Sequence, residues 1–156
     1  MYSSDIIYGG IDGSITTFAI MLSAIGSHQQ PSTVIILALA SLFADGISMG
    51  VSSYESEIFD TKKAFNKGIT TFLSFIVIGI IPIIMYNIYK NDTSKRQLYV
   101  TVISVLSCLF AVGMYKARLN NTNILMSGLK TSSLGVIAGG IAYYVANYLE
   151  HIIDNQ

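Results

Sequence analysis

The feature that most constrains this chain is a set of five apolar runs, each long enough to cross a lipid bilayer. A spanning helix needs about 20 consecutive, mostly apolar residues. Short polar links separate the runs, which cover residues 6–26, 34–54, 69–89, 98–115 and 131–149. A membrane strand would be about 10 residues of alternating polarity, whereas these runs are longer and do not alternate. The sequence therefore predicts an all-α, polytopic membrane protein with five transmembrane helices in a single domain, residues 1–156.

Composition agrees with burial in lipid and excludes several classes of protein. Hydrophobic residues make up 52% of the chain and charged residues only 12%, whereas a soluble domain carries roughly 25% charged residues. The net charge is zero, so no basic field favours nucleic acid. The single Cys108 excludes an internal disulfide. The opening residues, MYSSD, carry no Lys or Arg, so we expect the first run to remain as a membrane helix rather than a cleaved signal peptide.

The distribution of Lys and Arg predicts the orientation of the helices. Loops on the cytosolic side of a membrane carry an excess of these residues. One side, which also holds the N-terminus, has Lys62, Lys63, Lys67, Lys116, Arg118 and Lys130. The opposite side has Lys90, Lys95 and Arg96. We therefore expect a cytosolic N-terminus and a lumenal or extracellular C-terminus.

Two carboxylates lie where the chain otherwise has the composition of a bilayer interior. Asp12 stands within YGGIDGSITTFAIML and Asp45 within LFADGISMGVSSY. A charged side chain near the bilayer centre costs about 2.5–3.5 kcal/mol on insertion scales and commonly marks an ion or proton path. Two structural alternatives stay open. Asp12 would be the N-cap of a helix that begins at the membrane edge, and Asp45 would be a protonated, hydrogen-bonded packing residue.

Depth and helical spacing add a methionine to these carboxylates. Counted from membrane boundaries at Ile6 and Tyr54, Asp12 and Met49 lie about 8–9 Å inside and Asp45 about 14 Å inside. Asp45 and Met49 share a helix face because they are four residues apart. Carboxylate oxygens suit hard cations and a thioether adds softness, so the three side chains fit Fe²⁺ or Mn²⁺ better than Mg²⁺ or Ca²⁺. They are the predicted metal ligands.

The same stretches resemble the vacuolar iron transporter family. YGGIDGSITTFA and FADGISMGVSSYESE carry the resemblance in the first two helices. Further stretches extend it in order through the other three: TTFLSFIVIGIIPIIMY, VGMYKARL and SGLKTSSLGVIAGGIAYYV. The resemblance implies a homodimer with an ion path at its two-fold interface, and export of Fe²⁺ or Mn²⁺ from the cytosol, in exchange for protons, into a vacuole or out of the cell. The family's intramembrane Asp falls on Asp12 and its helix-two Met on Met49.

The chain departs from the plant and yeast-like members of that family in two places. Those members carry a Glu where this chain has Ser53, and they insert a Glu-rich cytosolic domain after helix two. Here only ESEIFDTKKAFNKG joins helices two and three, as in a compact, microbial-type branch. Glu55, Glu57 and Asp60 are candidates for a small acidic entrance on the cytosolic side, with a solvated helix end as the alternative.

These patterns lead to one preferred function and two alternatives. The preferred one is a homodimeric transporter of divalent metals and protons, without a cofactor, in an endomembrane or the plasma membrane. Helix one is the expected dimer contact because Gly9, Gly10 and Gly13 allow close approach. A non-transporting structural or regulatory membrane protein of the same fold is one alternative. An intramembrane aspartyl protease is disfavoured because Asp12 and Asp45 differ in depth by a turn and a catalytic dyad needs both at one depth. We therefore expect no enzymatic activity.

Overall fold

The fold consists of five long α-helices joined by short links. The computed structural model describes residues 3–89 and 94–153. The helices are α1 (Ser3–Gly26), α2 (Pro31–Glu55), α3 (Thr61–Ile88), α4 (Ser94–Leu119) and α5 (Ile124–Ile153). All five are long and apolar enough to span a bilayer, and no strand occurs in the described ranges. The predicted all-α fold with five membrane helices is confirmed. Lys90, which entered the prediction of orientation, lies outside the described residues.

α3 extends beyond its apolar run, and a polar side chain caps its start. α3 begins at Thr61, two turns before the apolar run that starts at residue 69. Its N-cap is Asp60, whose carboxylate accepts hydrogen bonds from the backbone N–H groups of Lys62 and Lys63 at 3.0 and 3.1 Å. Such a cap satisfies donors that the first helical turn leaves unpaired. The additional turns carry Lys62, Lys63 and Lys67, so we expect the start of α3 to lie at the bilayer surface.

α1 is the central helix of the bundle. It packs against each of the other four helices, while α2 packs further only on α3, and α5 only on α4. One core cluster, which includes Met21, Leu42 and Phe75, joins α1 to α2 and α3. A second cluster, which includes Phe18 and Leu109, joins α1 to α4. Because α2 and α5 flank α1 without touching each other in the described residues, one face of α1 stays open between them.

Glycines set the closest crossing of α1 with its neighbours. A side-chain carbon on Gly13 would meet the backbone of Phe75, and one on Gly79 would lie 2.8 Å from the carbonyl oxygen of Gly13. Gly9 and Gly10 also face α3, and all three α1 glycines are buried within the protomer. The expectation that Gly9, Gly10 and Gly13 contact a second copy is therefore wrong, because α3 already occupies that face.

The outer surfaces of the bundle are apolar. Val77 of α3, Ile103 of α4 and Ile137 of α5 are each about 60% exposed. A soluble monomer seldom leaves so much contiguous apolar surface open to water. These faces are suited to the acyl chains of a bilayer, as the five-span prediction requires.

Candidate functional site

The open face of α1, defined by Tyr8, Asp12, Ala19 and Ser23, carries two recesses. They are named here after one lining residue each, the Asp12 recess and the Ser41 recess. The Asp12 recess has a volume of about 700 Å³ and lies towards the start of α1. The Ser41 recess has a volume of about 510 Å³ and lies towards its end. Both are walled by residues of α2 and α5, so they open on the same side of the bundle at opposite ends of one groove.

Asp12 lies well inside α1, far from a helix terminus. The helix begins at Ser3, and the carbonyl oxygen of Asp12 accepts a hydrogen bond from the Thr16 hydroxyl at 2.7 Å within the same helix. An N-cap has a non-helical backbone and precedes the first turn. The alternative in which Asp12 serves as an N-cap is therefore wrong, and the carboxylate needs another reason to lie in the membrane.

The structure brings Asp12 and Met49 to one recess. Both line the Asp12 recess, from α1 and α2 respectively, while Leu134 of α5 closes its far wall. Lys116 and Asn120 lie at its mouth, near the end of α4. A carboxylate, a thioether and an ammonium group thus line the same space.

Asp45 lies between the two recesses. It is half-buried on α2 and close enough to Asp12 for the two carboxylates to interact electrostatically. Along α2, Ser41 lines one recess and Met49 the other. Asp45 is one helical turn from each of them, on the same face. Two nearby carboxylates repel when both are ionised, and a bound cation or a shared proton removes that repulsion.

A third cavity adjoins the Asp12 recess and contains a carboxylate that sequence reasoning missed. This Asp5 recess, of about 320 Å³, shares Tyr8 and Met49 with the Asp12 recess. Asp5 is only 7% exposed and interacts electrostatically with Lys67. The signal was present in the sequence, because Asp5 precedes Asp12 by seven residues, or two helical turns, and so occupies the same face.

Serine hydroxyls and one lysine complete the Asp5 recess. Ser52, Ser53 and Ser56 come from the end of α2, and Lys67 from α3. The Lys67 ammonium donates a hydrogen bond to the Ser56 hydroxyl at 2.7 Å. The ammonium and the Asp5 carboxylate line the same recess and interact electrostatically, so Lys67 offsets part of the cost of burying that carboxylate.

The residues of the predicted acidic entrance are not among those that line the Asp12, Asp5 or Ser41 recess. Glu57 forms an ion pair with Lys63 at 2.8 Å, and Asp60 caps α3. Glu55 is exposed at the end of α2 and is not among the residues that line either recess. A role for Glu55 and Glu57 in gathering metal stays a prediction.

One protomer supplies few metal-binding groups at this site. No group of three or more His, Cys, Asp or Glu side chains suited to one metal ion occurs in the described parts of the chain. Asp12, Asp45 and Met49 offer two carboxylates and one sulfur. First-row divalent ions and Mg²⁺ commonly take up to six ligands, so further ligands would have to come from water, backbone or a second copy.

Comparison with known proteins identifies the family to which the chain belongs. The model of the VIT family matches residues 3–61 and 55–147, and the two matches meet in the link between α2 and α3. The vacuolar iron transporter of Plasmodium falciparum (isolate 3D7) is 26% identical over 225 aligned positions, which cover 96% of this chain and 82% of that protein. That of Plasmodium berghei (strain Anka) is 27% identical over 214 positions, with coverages of 88% and 78%.

A third relative has a different kind of name. The membrane protein of ER body-like protein of Arabidopsis thaliana is 27% identical over 184 aligned positions. They cover 97% of this chain but only 24% of that longer protein. A segment similar to nearly all of this chain therefore makes up about a quarter of that protein.

Proposed function

The chain belongs to the VIT family, and on that premise we propose that it transports a divalent transition metal, Fe²⁺ or Mn²⁺, out of the cytosol. The names of its two Plasmodium relatives, both vacuolar iron transporters, support the proposal. An endomembrane or the plasma membrane is the proposed location. The Lys and Arg distribution supports a cytosolic N-terminus, which places the Asp12 recess towards the cytosol and the Ser41 recess towards the lumen or the outside.

The observation that carries the proposal is the line of polar side chains between the two recesses. Asp12 and Met49 line one recess, Ser41 lines the other, and Asp45 lies between them on the face of α2 that carries Ser41 and Met49. Intramembrane carboxylates are costly and are retained where they face a path for ions. Asp12 and Asp45 would replace part of the ion's hydration shell, and Met49 would add a polarisable ligand that favours Fe²⁺ and Mn²⁺ over Ca²⁺.

The ion path is proposed to be completed by a second copy. A two-fold axis along the open face of α1 would bring two copies of Asp12, Asp45 and Met49 together. Four carboxylates would then replace most of the ion's water. The dimer would also cover the groove between α2 and α5, which one protomer leaves open.

Cysteine cross-linking tests this contact. In a Cys108→Ala background, Thr16→Cys places a thiol on the open face of α1 between the two recesses, and oxidation should give a covalent dimer. Val77→Cys, on the lipid-facing side of α3, is the matched control and should stay monomeric on a denaturing gel. A dimer formed by Val77→Cys and not by Thr16→Cys would place the interface on α3 and refute the proposed path.

Exchange for protons is the proposed source of energy. Protons that arrive from an acidic lumen compete with the metal for the same carboxylates. Protonation of Asp12 and Asp45 removes the negative charge that holds the cation, so the ion is released on the acidic side. Metal export would therefore be faster when the receiving compartment is acidic.

Met49 is expected to determine selectivity more than rate. Met49→Leu nearly conserves volume, so its packing cost should be under about 1.5 kcal/mol, and any larger change in transport should be chemical. We expect Mn²⁺ uptake to fall and to become more sensitive to excess Ca²⁺, as measured by competition in proteoliposomes. Met85→Leu, a half-buried methionine of α3 outside both recesses, is the control. Equal Ca²⁺ resistance in wild type and Met49→Leu would make Met49 a packing residue.

A non-transporting membrane protein of the same fold is the second candidate. It is favoured by one observation, the Arabidopsis relative whose name does not describe transport and which covers nearly all of this chain. This candidate predicts that purified protein in liposomes passes no Fe²⁺ or Mn²⁺ under any gradient.

A further inference from the structure

The outer face of α2 carries a groove that the proposed transport does not use. Its walls are apolar and include Ile47, Val51 and Tyr54 of α2 with Ile69 and Phe72 of α3. The groove holds about 330 Å³. These α2 residues lie on the side of the helix opposite Asp45 and Met49, because the two sets are separated by about half a helical turn. The groove is therefore distinct from the candidate ion path.

Two glycines form the floor of the groove. A side-chain carbon on Gly68 would lie 2.8 Å from the carbonyl oxygen of Gly50, and one on Gly50 would lie 3.0 Å from the Cβ of Phe72. α2 and α3 therefore approach closely at these glycines. The larger side chains on either side, such as Val51 and Phe72, form the walls of the groove. The groove exists because Gly50 and Gly68 have no side chains to fill the space where α2 and α3 cross.

The groove continues into a polar recess at the end of the two helices. This second cavity, of about 370 Å³, shares Tyr54 and Phe65 with the groove and is also lined by Thr61, Lys62 and Asn66. Among the described residues that line it, the charged one is Lys62. The carboxylate of nearby Asp60 is already bonded to the N–H groups that begin α3, so a ligand in the recess would meet the Lys62 ammonium rather than the helix end.

The link beside this recess has the character of a segment at a membrane surface. Ile58 is 82% exposed and Phe59 is 94% exposed, although both are strongly apolar. Aromatic and aliphatic side chains beside lysines are typical of the interfacial layer of a bilayer, where the apolar group enters the lipid and the ammonium stays among the headgroups. We therefore expect the polar recess to lie at headgroup depth.

We propose that the groove and the polar recess together bind one phospholipid, with its phosphate on Lys62 and an acyl chain between Val51 and Ile69. The dimensions support this occupant. From Tyr54 to Ile47 the groove runs about 10 Å along α2, and one leaflet of hydrocarbon is about 15 Å deep. A lone acyl chain would leave the polar recess unfilled, and a soluble phosphate would leave the apolar groove unfilled. A phospholipid matches both, because its polar headgroup would occupy the polar recess while the attached acyl chain occupies the adjoining apolar groove.

Photo-cross-linking with the full chain in liposomes tests the proposal. The probe is phosphatidylglycerol that carries a diazirine on an acyl chain, and labelled residues are identified by mass spectrometry. We expect labelling concentrated on Ile47, Val51 and Ile69. A diacylglycerol with the same diazirine chain has no phosphate and should label these residues several-fold less. Equal labelling by the two probes would overturn the assignment of the phosphate to Lys62.

Two variants with matched controls complete the test. Val51→Trp should fill the groove and reduce the labelling of Ile69 several-fold, whereas Val77→Trp, elsewhere on the lipid-facing side of α3, should not. Lys62→Gln should remove the preference for phosphatidylglycerol, whereas Lys130→Gln, another exposed lysine near the same membrane surface, should leave it. Labelling spread evenly over the outer faces of the helices would mean ordinary annular lipid and would refute the site. Because neither altered position lies on the ion path, these outcomes are independent of metal transport.

Discussion

Asp12→Asn is expected to abolish metal transport while leaving the fold intact. The amide has the shape of the carboxylate without its charge, so an ion in the Asp12 recess would lose its proposed carboxylate ligand. Changes to the surroundings of a metal ligand already cost about 10–100-fold in affinity or activity, so removing a ligand should reduce initial Mn²⁺ uptake at least about tenfold. Thermal stability should be unchanged or higher, because a charged group in the membrane costs about 2.5–3.5 kcal/mol.

The matched variant for this test is Asp12→Glu. It keeps the charge, and the recess of about 700 Å³ has room for one more methylene. Measurable Mn²⁺ uptake by Asp12→Glu, together with none by Asp12→Asn, would show that transport needs the negative charge at position 12. Wild-type uptake by Asp12→Asn at a normal protein level would show that Asp12 is not a metal ligand.

Gly13→Ala is expected to destabilise the fold, because Gly13 is buried where α1 crosses α3. The new carbon would meet the backbone of Phe75, and a backbone cannot rotate away as a flexible side chain can. Overpacking typically costs about 1–3 kcal/mol, which corresponds to a melting temperature lowered by about 2–12 °C for a chain of this size. The measurement is thermal unfolding of the purified protein in detergent.

Gly140→Ala is the matched control, since nothing lies within 4 Å of a side-chain carbon at that position. Alanine is favoured over glycine in a helix by roughly 0.5–1 kcal/mol, so this variant should be as stable as wild type or slightly more stable. Equal melting temperatures for Gly13→Ala and Gly140→Ala would show that α1 and α3 do not cross backbone to backbone at Gly13.

The length of the apolar runs was sufficient to predict the number of helices, but not their packing. Five spans follow from the bilayer thickness alone, and each became one helix. Which face of α1 is open depends on how four other helices share its surface. The sequence does not show this arrangement, so the prediction assigned Gly9, Gly10 and Gly13 to a dimer contact. A small residue indicates close approach by some helix, and here that helix is α3 of the same chain.

The candidate site was partly predictable because helical spacing is a local property. Asp45 and Met49 are four residues apart, and this spacing is sufficient to predict that they share a helix face. The meeting of Met49 with Asp12 needed a depth estimate, and the structure places both in one recess. Asp5 was missed because it lies outside the apolar run, although its spacing from Asp12 was visible. Its electrostatic interaction with Lys67 depends on the additional turns of α3, which the hydropathy pattern did not include.

Transport itself is tested by the initial rate of Mn²⁺ uptake into liposomes that contain only the wild-type chain. With an acidic lumen, we expect uptake well above that of protein-free liposomes, and slower uptake when the pH is equal on both sides. Uptake no greater than in protein-free liposomes, for Mn²⁺ and for Fe²⁺ and with the lumen acidic, would contradict transport and leave a membrane protein that keeps the fold for another purpose.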